Sequence, residues 1–155
     1  MKKLTLALGL LCASALATFA QTFEYKIVTS IESIVPMGLG RSRIIEQDQV
    51  VDVAAYTTTR SDGKDSDQGR VDRSDLKIDR FKETKLLNFY SGVGINFQNI
   101  ASNDALMSAK INEMITQGWE LAFVVSGVES KGSKDDTEGI FITRYIFRKP
   151  AKAGR

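Results

Sequence analysis

GLGRSR, from Gly38 to Arg43, brings together residue types suited to holding an anion. Its two glycines let the backbone fold into a concave row of amides. If the segment is extended, Arg41 and Arg43 point the same way, with Ser42 between them. Such a loop can hold a carboxylate or a phosphate, which makes Arg41, Ser42 and Arg43 the candidate binding residues and a small anion the candidate ligand. The competing reading is a turn whose arginines are solvated or paired with neighbouring acids such as Glu46 or Asp48. Two arginines alone are not a specific site, so the turn is preferred.

Other segments suggest chemistry and then fail on spacing. DGKDSDQG at Asp62 to Gly69 crowds carboxylates as a calcium loop does. An EF-hand count from Asp62, however, puts Lys64 at the third position, and one from Asp65 puts Leu76 where the bidentate glutamate belongs. KGSKDDTEG at Lys131 to Gly139 is read the same way, as a solvated loop. GVG at Gly92 to Gly94 opens a dinucleotide fingerprint but has Phe97 in place of its third glycine. A tight bend between two apolar segments accounts for it better. Trp119 and Phe123 could together form a stacking platform, although a tryptophan between a helix stop and a strand is more often core.

The chain contains no histidine, and its one cysteine is Cys12. Imidazole bases, thiol nucleophiles, disulfides and thiolate or imidazole zinc sites are thereby excluded beyond Cys12. An enzyme would have to use carboxylates, serine with lysine, or tyrosine, and no spacing singles out one pair. No cofactor or metal is expected.

Cys12 lies in MKKLTLALGLLCASALATFAQ, which has the charge and apolar pattern of a secretory signal. Lys2 and Lys3 precede an apolar stretch, and Thr18 and Ala20 fit cleavage before Gln21; Ala15 and Ala17 fit an alternative cut before Thr18. The alternative of an uncleaved anchor is weakened by Thr5, Gly9, Ser14 and Thr18. Residues 1–20 are therefore expected to be removed and the remainder exported to the periplasm or the extracellular space. Without Lys2 and Lys3 the balance is 19 basic to 19 acidic residues. The neutral mature chain gives no electrostatic reason to expect nucleic acid, or a membrane after cleavage, as a partner.

About 135 residues without disulfides must be held by a core, and one domain is expected over 21–155. Phe23, Tyr25, Ile27 and Ile31 alternate with Glu24, Lys26, Ser30 and Glu32, predicting a strand over Phe23 to Ile34 that buries its apolar side. A second strand is predicted in the β-branched run Gln49 to Thr59. From Arg60 to Lys85 more than half of the residues are charged, which predicts a long mobile loop with a short strand near Leu76 to Phe81. Asn103 caps a predicted helix over Asp104 to Gln117 whose apolar face is Met107, Ile111, Met114 and Ile115, with Gly118 as its stop. Strands follow at Trp119 to Val128 and Ile140 to Arg148. The fold class is α+β: an antiparallel sheet of three to five strands covered by one main helix, with a long polar loop.

FEYKIV at Phe23 to Val28, INEMITQGWEL at Ile111 to Leu121 and YIFRKP at Tyr145 to Pro150 resemble the small DUF4177 family, which is defined by sequence and carries no assigned activity. The likeness covers both ends of the mature chain and departs by a long insertion, roughly Pro36 to Ser102. It implies an α+β fold and brings no site.

The function expected is that of an exported, non-catalytic binding or interaction domain, with a small anion or an envelope protein as partner. The alternatives are a hydrolase or lyase working through carboxylates, or a self-assembling envelope protein that forms a homo-oligomer through an edge strand, for which Phe23 to Ile34 is the candidate.

Overall fold

The structure is a computed structural model and describes residues 22–35, 41–64, 66–129 and 139–151. The expected signal segment, Gly38 to Gly40 of GLGRSR and most of the Lys131 to Gly139 loop lie outside these residues. Strands β1 (Phe23–Ser33), β2 (Arg43–Glu46), β3 (Lys82–Lys85), β6 (Glu120–Glu129) and β7 (Ile140–Pro150) form one antiparallel sheet in the order β3-β2-β1-β7-β6. A small hairpin pairs β4 (Tyr90–Ser91) with β5 (Gly94–Ile95), so the glycines of GVG do make a tight bend. Among the described residues the one α-helix, α1 (Phe97–Thr116), lies on one face of the sheet. The α+β class with one main helix is as expected, and no described helix is long and apolar enough to cross a membrane.

Four placements differ from expectation. The second strand is β2, ahead of the run from Gln49 to Thr59, which instead holds a 3₁₀ turn at Val53–Tyr56. The strand in the charged segment is Lys82–Lys85 rather than Leu76 to Phe81, because pairing with β2 supplies a ladder where burial supplies nothing. β1 is the central strand, paired on both sides, and the edges are β3 and β6.

The fourth concerns α1, which begins seven residues before Asp104 and is capped by Asn96, whose side chain accepts from the Asn99 N–H at 3.1 Å. Asn103 is buried inside the helix. Its Nδ2 donates to the Leu87 carbonyl (2.7 Å) and to Glu32 Oε1 (2.9 Å), while its Oδ1 accepts from the Leu87 N–H (2.8 Å). Asn99 Nδ2 donates to the Asn88 carbonyl at 2.9 Å. The inner stripe of α1 is thus amide in its first half, clasping the backbone of 87–88, and apolar in its second, where Met107, Ile111 and Met114 meet the sheet.

The helix ends as its sequence predicts. Gly118 has φ 84°, its N–H donates to the Ile115 carbonyl (2.9 Å), and the Trp119 N–H donates to the Met114 carbonyl (3.1 Å). These two bonds are a Schellman stop, and its usual apolar contact is present because Met114 and Trp119 share the core. Gly118→Ala is expected to cost about 1 kcal/mol, from forcing a Cβ into the left-handed region, as read by urea unfolding.

The core comprises Val28, Ile44, Leu86, Met114, Trp119 and Phe147. On β1 this places Val28 and Ser30 inside, on the helix side, while Tyr25 and Ile27 lie on the other face. The expectation that Phe23, Tyr25, Ile27 and Ile31 form the buried side is reversed. Ile44 on β2, Phe147 on β7 and the helix supply the apolar atoms, so this face is buried even though β1 contributes Lys26 and Ser30 to it.

Candidate functional site

Of the three candidate residues, Ser42 and Arg43 have structural partners. Ser42 is buried: its Oγ accepts from the Ser33 N–H (2.9 Å) and donates to Asn88 Oδ1 (3.1 Å). Arg43 is the first residue of β2, opposite Ile31 and Lys85, and is ion-paired with Glu83 on β3. A hollow of about 210 Å³ is lined by Ser42, Arg43, Glu83 and Lys85. Arg41 precedes the strand and is half-buried. Alternation does separate Ser42 from Arg43, but the serine hydroxyl is spent on the fold and Arg43 on an acid. The acid is Glu83 rather than Glu46 or Asp48, because β3 lies beside β2.

Trp119 and Phe123 do not form a platform. Trp119 is in the core under the helix, whereas Phe123 stands opposite Ile146, on the other face of the sheet. The β-bulge between Leu121 and Phe123 makes that switch, turning Phe123 out where simple alternation would have kept it with Leu121.

Acids converge at one place that the sequence does not single out. Under the C-terminal half of α1, Glu46 receives hydrogen bonds from Lys26 (2.6 Å) and Lys110 (3.1 Å). Lys26 also bonds Asp48, Asp48 pairs with Lys82 (3.2 Å), and Lys110 bonds Glu113 (2.6 Å). A cleft of about 340 Å³ opens beside Glu46, Asp48 and Lys82. Burial pushes the Glu46 carboxyl up, but the bonds and charges of Lys26 and Lys110 outweigh it and hold it below the ordinary carboxylate range. Bonds from Lys26 and Lys82 likewise hold Asp48 down.

An acid–base pair needs carboxyls pushed apart, and these two move together, both ionised and engaged. The carboxyl that moves up is Glu32, raised by burial and by Asp104 against the opposing bond from Asn103. Glu46 pairs in register with Val28, four residues from Glu32, a separation of about 13 Å along the strand. The raised carboxyl and the two lowered ones therefore belong to different stretches of the sheet. Among the described residues no group of three or more acids, histidines or cysteines is placed to hold a metal ion.

The larger feature is the face of the sheet that α1 leaves open. Register aligns Tyr25 with Arg148 and Glu120, Ile27 with Ile146 and Phe123, Thr29 with Arg144 and Val125, and Ile31 with Ile142. Ile45 continues the face onto β2. Tyr25, Ile27, Phe123 and Val125 are 56, 48, 58 and 57% exposed, an apolar surface that runs across three strands. A cleft of about 560 Å³ indents one end, lined by Tyr25, Ile27, Thr29, Ile45 and Val50 among others. Arg148 closes that end, held by Glu120 through two bonds (3.0 and 3.2 Å). Arg144 stands exposed at the middle of the face, with no ion pair among the described residues. Comparison with protein families, with curated proteins and with solved structures finds no match for this chain.

Proposed function

We propose that the chain is an exported, non-catalytic interaction domain that works through the open face of its sheet. The observation that carries this reading is the row of exposed apolar side chains around Arg144. A sheet that is apolar on both faces is stable in water when each face packs against another element, and α1 supplies only one of the two. The partner that fits is an amphipathic helix of another envelope protein whose apolar stripe carries a carboxylate. The stripe would bury Ile27, Phe123 and Val125, and the acid would pair with Arg144, which would otherwise be desolvated alone.

The reading is tested by titrating the labelled mature chain with two synthetic amphipathic helices of about 18 residues, one with glutamate and one with lysine in its apolar stripe. Saturable amide shifts near Ile27, Phe123 and Ile146 are expected for the glutamate peptide, with affinity at least about tenfold weaker for the lysine peptide. Ile27→Lys should remove the response while keeping the thermal transition, since Ile27 lies outside the core. No saturable response on this face would end the proposal. Saturable shifts near Glu46 and Asp48 with small sugars or acids would favour a carboxylate-dependent hydrolase or lyase.

A further inference from the structure

We infer that two copies of this chain join by antiparallel pairing of β6 with β6, making one continuous sheet. The inference rests on reading the chain as an interaction domain and adds the surface by which it self-associates. The two sheet edges differ sharply. β3 is four residues long, reads KETK, and carries Lys82 and Glu83 in ion pairs, which is how a sheet edge is protected against pairing. β6 is ten residues long, reads ELAFVVSGVE, and has no lysine, arginine or proline. Among the described residues its outer backbone groups meet no other strand.

Both faces of β6 are open. Phe123 and Val125 are exposed on the uncovered face, and on the helix side Val124 and Val128 are still 53 and 59% exposed. The bulge confines regular strand to Phe123 through Glu129. One antiparallel register pairs that whole stretch with its copy: Ser126 lies on the two-fold axis, Val124 faces Val128, Val125 faces Gly127 and Phe123 faces Glu129. Like faces stay together, as alternation requires, and β-branched side chains meet twice. The two Glu129 carboxylates are then roughly 20 Å apart, at opposite ends of the seam. The balance of 19 basic to 19 acidic residues outside Lys2 and Lys3 leaves little net repulsion between copies.

The other way to join two copies, stacking the open faces, would bury Arg144 from both without an acid beside it, which is costly. Edge pairing leaves Arg144 in water and sets two open faces side by side. A seam of about 23 Å is small, so the association is expected in the micromolar range.

The test is sedimentation of the mature chain from about 5 to 500 µM, with oxidative cross-linking of Ser126→Cys and, as a control, of Ser108→Cys on the exposed side of α1. A dimer that falls to monomer in Val124→Lys, with unchanged circular dichroism, together with a disulfide formed at position 126 and not at 108, is expected. A monomer throughout, equal cross-linking at both positions, or a dimer that survives Val124→Lys would overturn the inference. A dimer lost in Ile27→Lys but kept in Val124→Lys would place the contact on the open face. A monomer that still binds the glutamate helix would sink only the edge pairing, whereas a dimer blind to both helices would sink only the helix-binding reading.

Discussion

Trp119→Ala is expected to lower stability by about 3–5 kcal/mol, in the range found when a large aromatic is cut from a core. The indole is 8% exposed and packs with Met114, Val28 and Phe147, linking the helix end to the centre of the sheet. Its backbone N–H completes the helix stop, and that bond survives the substitution, so the loss measures packing rather than capping. Lys149 Nζ lies 4.1 Å from the ring centroid, adding a cation–π contact of about 0.5–2 kcal/mol, since the ring is buried while the lysine side chain is partly exposed. Phe123→Ala is the matched control: an aromatic four residues on, exposed on the open face, whose loss should cost less than about 1 kcal/mol. Urea unfolding followed by circular dichroism gives both values as midpoint shifts at constant slope. Equal effects of the two substitutions would mean that the assignment of faces is wrong.

The C-terminal third was the most legible part of the chain because independent local signals agree there. Met107, Ile111 and Met114 repeat at helical spacing, Gly118 supplies positive φ, and the strands that follow pair as neighbours. The first half of α1 was hidden because its inward residues include Asn99 and Asn103, whose side chains answer backbone groups of 87 and 88 instead of apolar atoms. Asparagine at helix-face spacing reads as a cap, as Asn103 did, until the segment it clasps is known. β1 misled for a related reason. Counting apolar residues within one strand chooses a face by that strand's own majority, whereas burial is decided by the neighbours. Ile44, Phe147 and Met114 outvote Phe23, Tyr25 and Ile27.

The candidate surfaces were legible only in part. The types of Ser42 and Arg43, and the pairing of an arginine with an acid, are legible in the segment; which partner each meets is not, since a strand sends alternate residues to opposite faces. Glu46 left one usable sign: it shares a strand side with Ile44, and an acid in step with a core residue must find a cation. Lys26, in step with Val28, carries the same sign. That these two residues meet, and that Lys110 joins them, depends on strand order and helix placement, which are non-local. The open face was visible as apolar alternation on β1, and only the position of α1 tells that it is uncovered.

Removing the Glu46 carboxylate tests that ionic cluster. Glu46→Ala leaves Lys26 and Lys110, whose side chains are mostly buried, without the acid that faces both, and the expected cost is about 3 kcal/mol at neutral pH. The figure falls at the low end of the range for a broken buried pair because Asp48 and Glu113 still hold one lysine each. Glu46→Gln keeps the shape and removes the charge, so it isolates the electrostatic part. The sign with pH follows from the direction of each shift. Glu46 has its folded-state pKa below 4.5, so its contribution is fully present above the unfolded value and is lost as pH falls through the folded one. Lys26 and Lys110 are pushed down by burial but raised further by their acids, to values above 10.5. Their contribution is complete below that value and is lost as pH rises through the folded pKa values. The stability gap between wild type and Glu46→Gln should therefore be wide and flat from about pH 5 to 10 and should narrow at both extremes. Urea midpoints measured from about pH 2.5 to 11 decide it, and a gap unchanged at the acid end would show that Glu46 stabilises the fold by packing rather than by its charge.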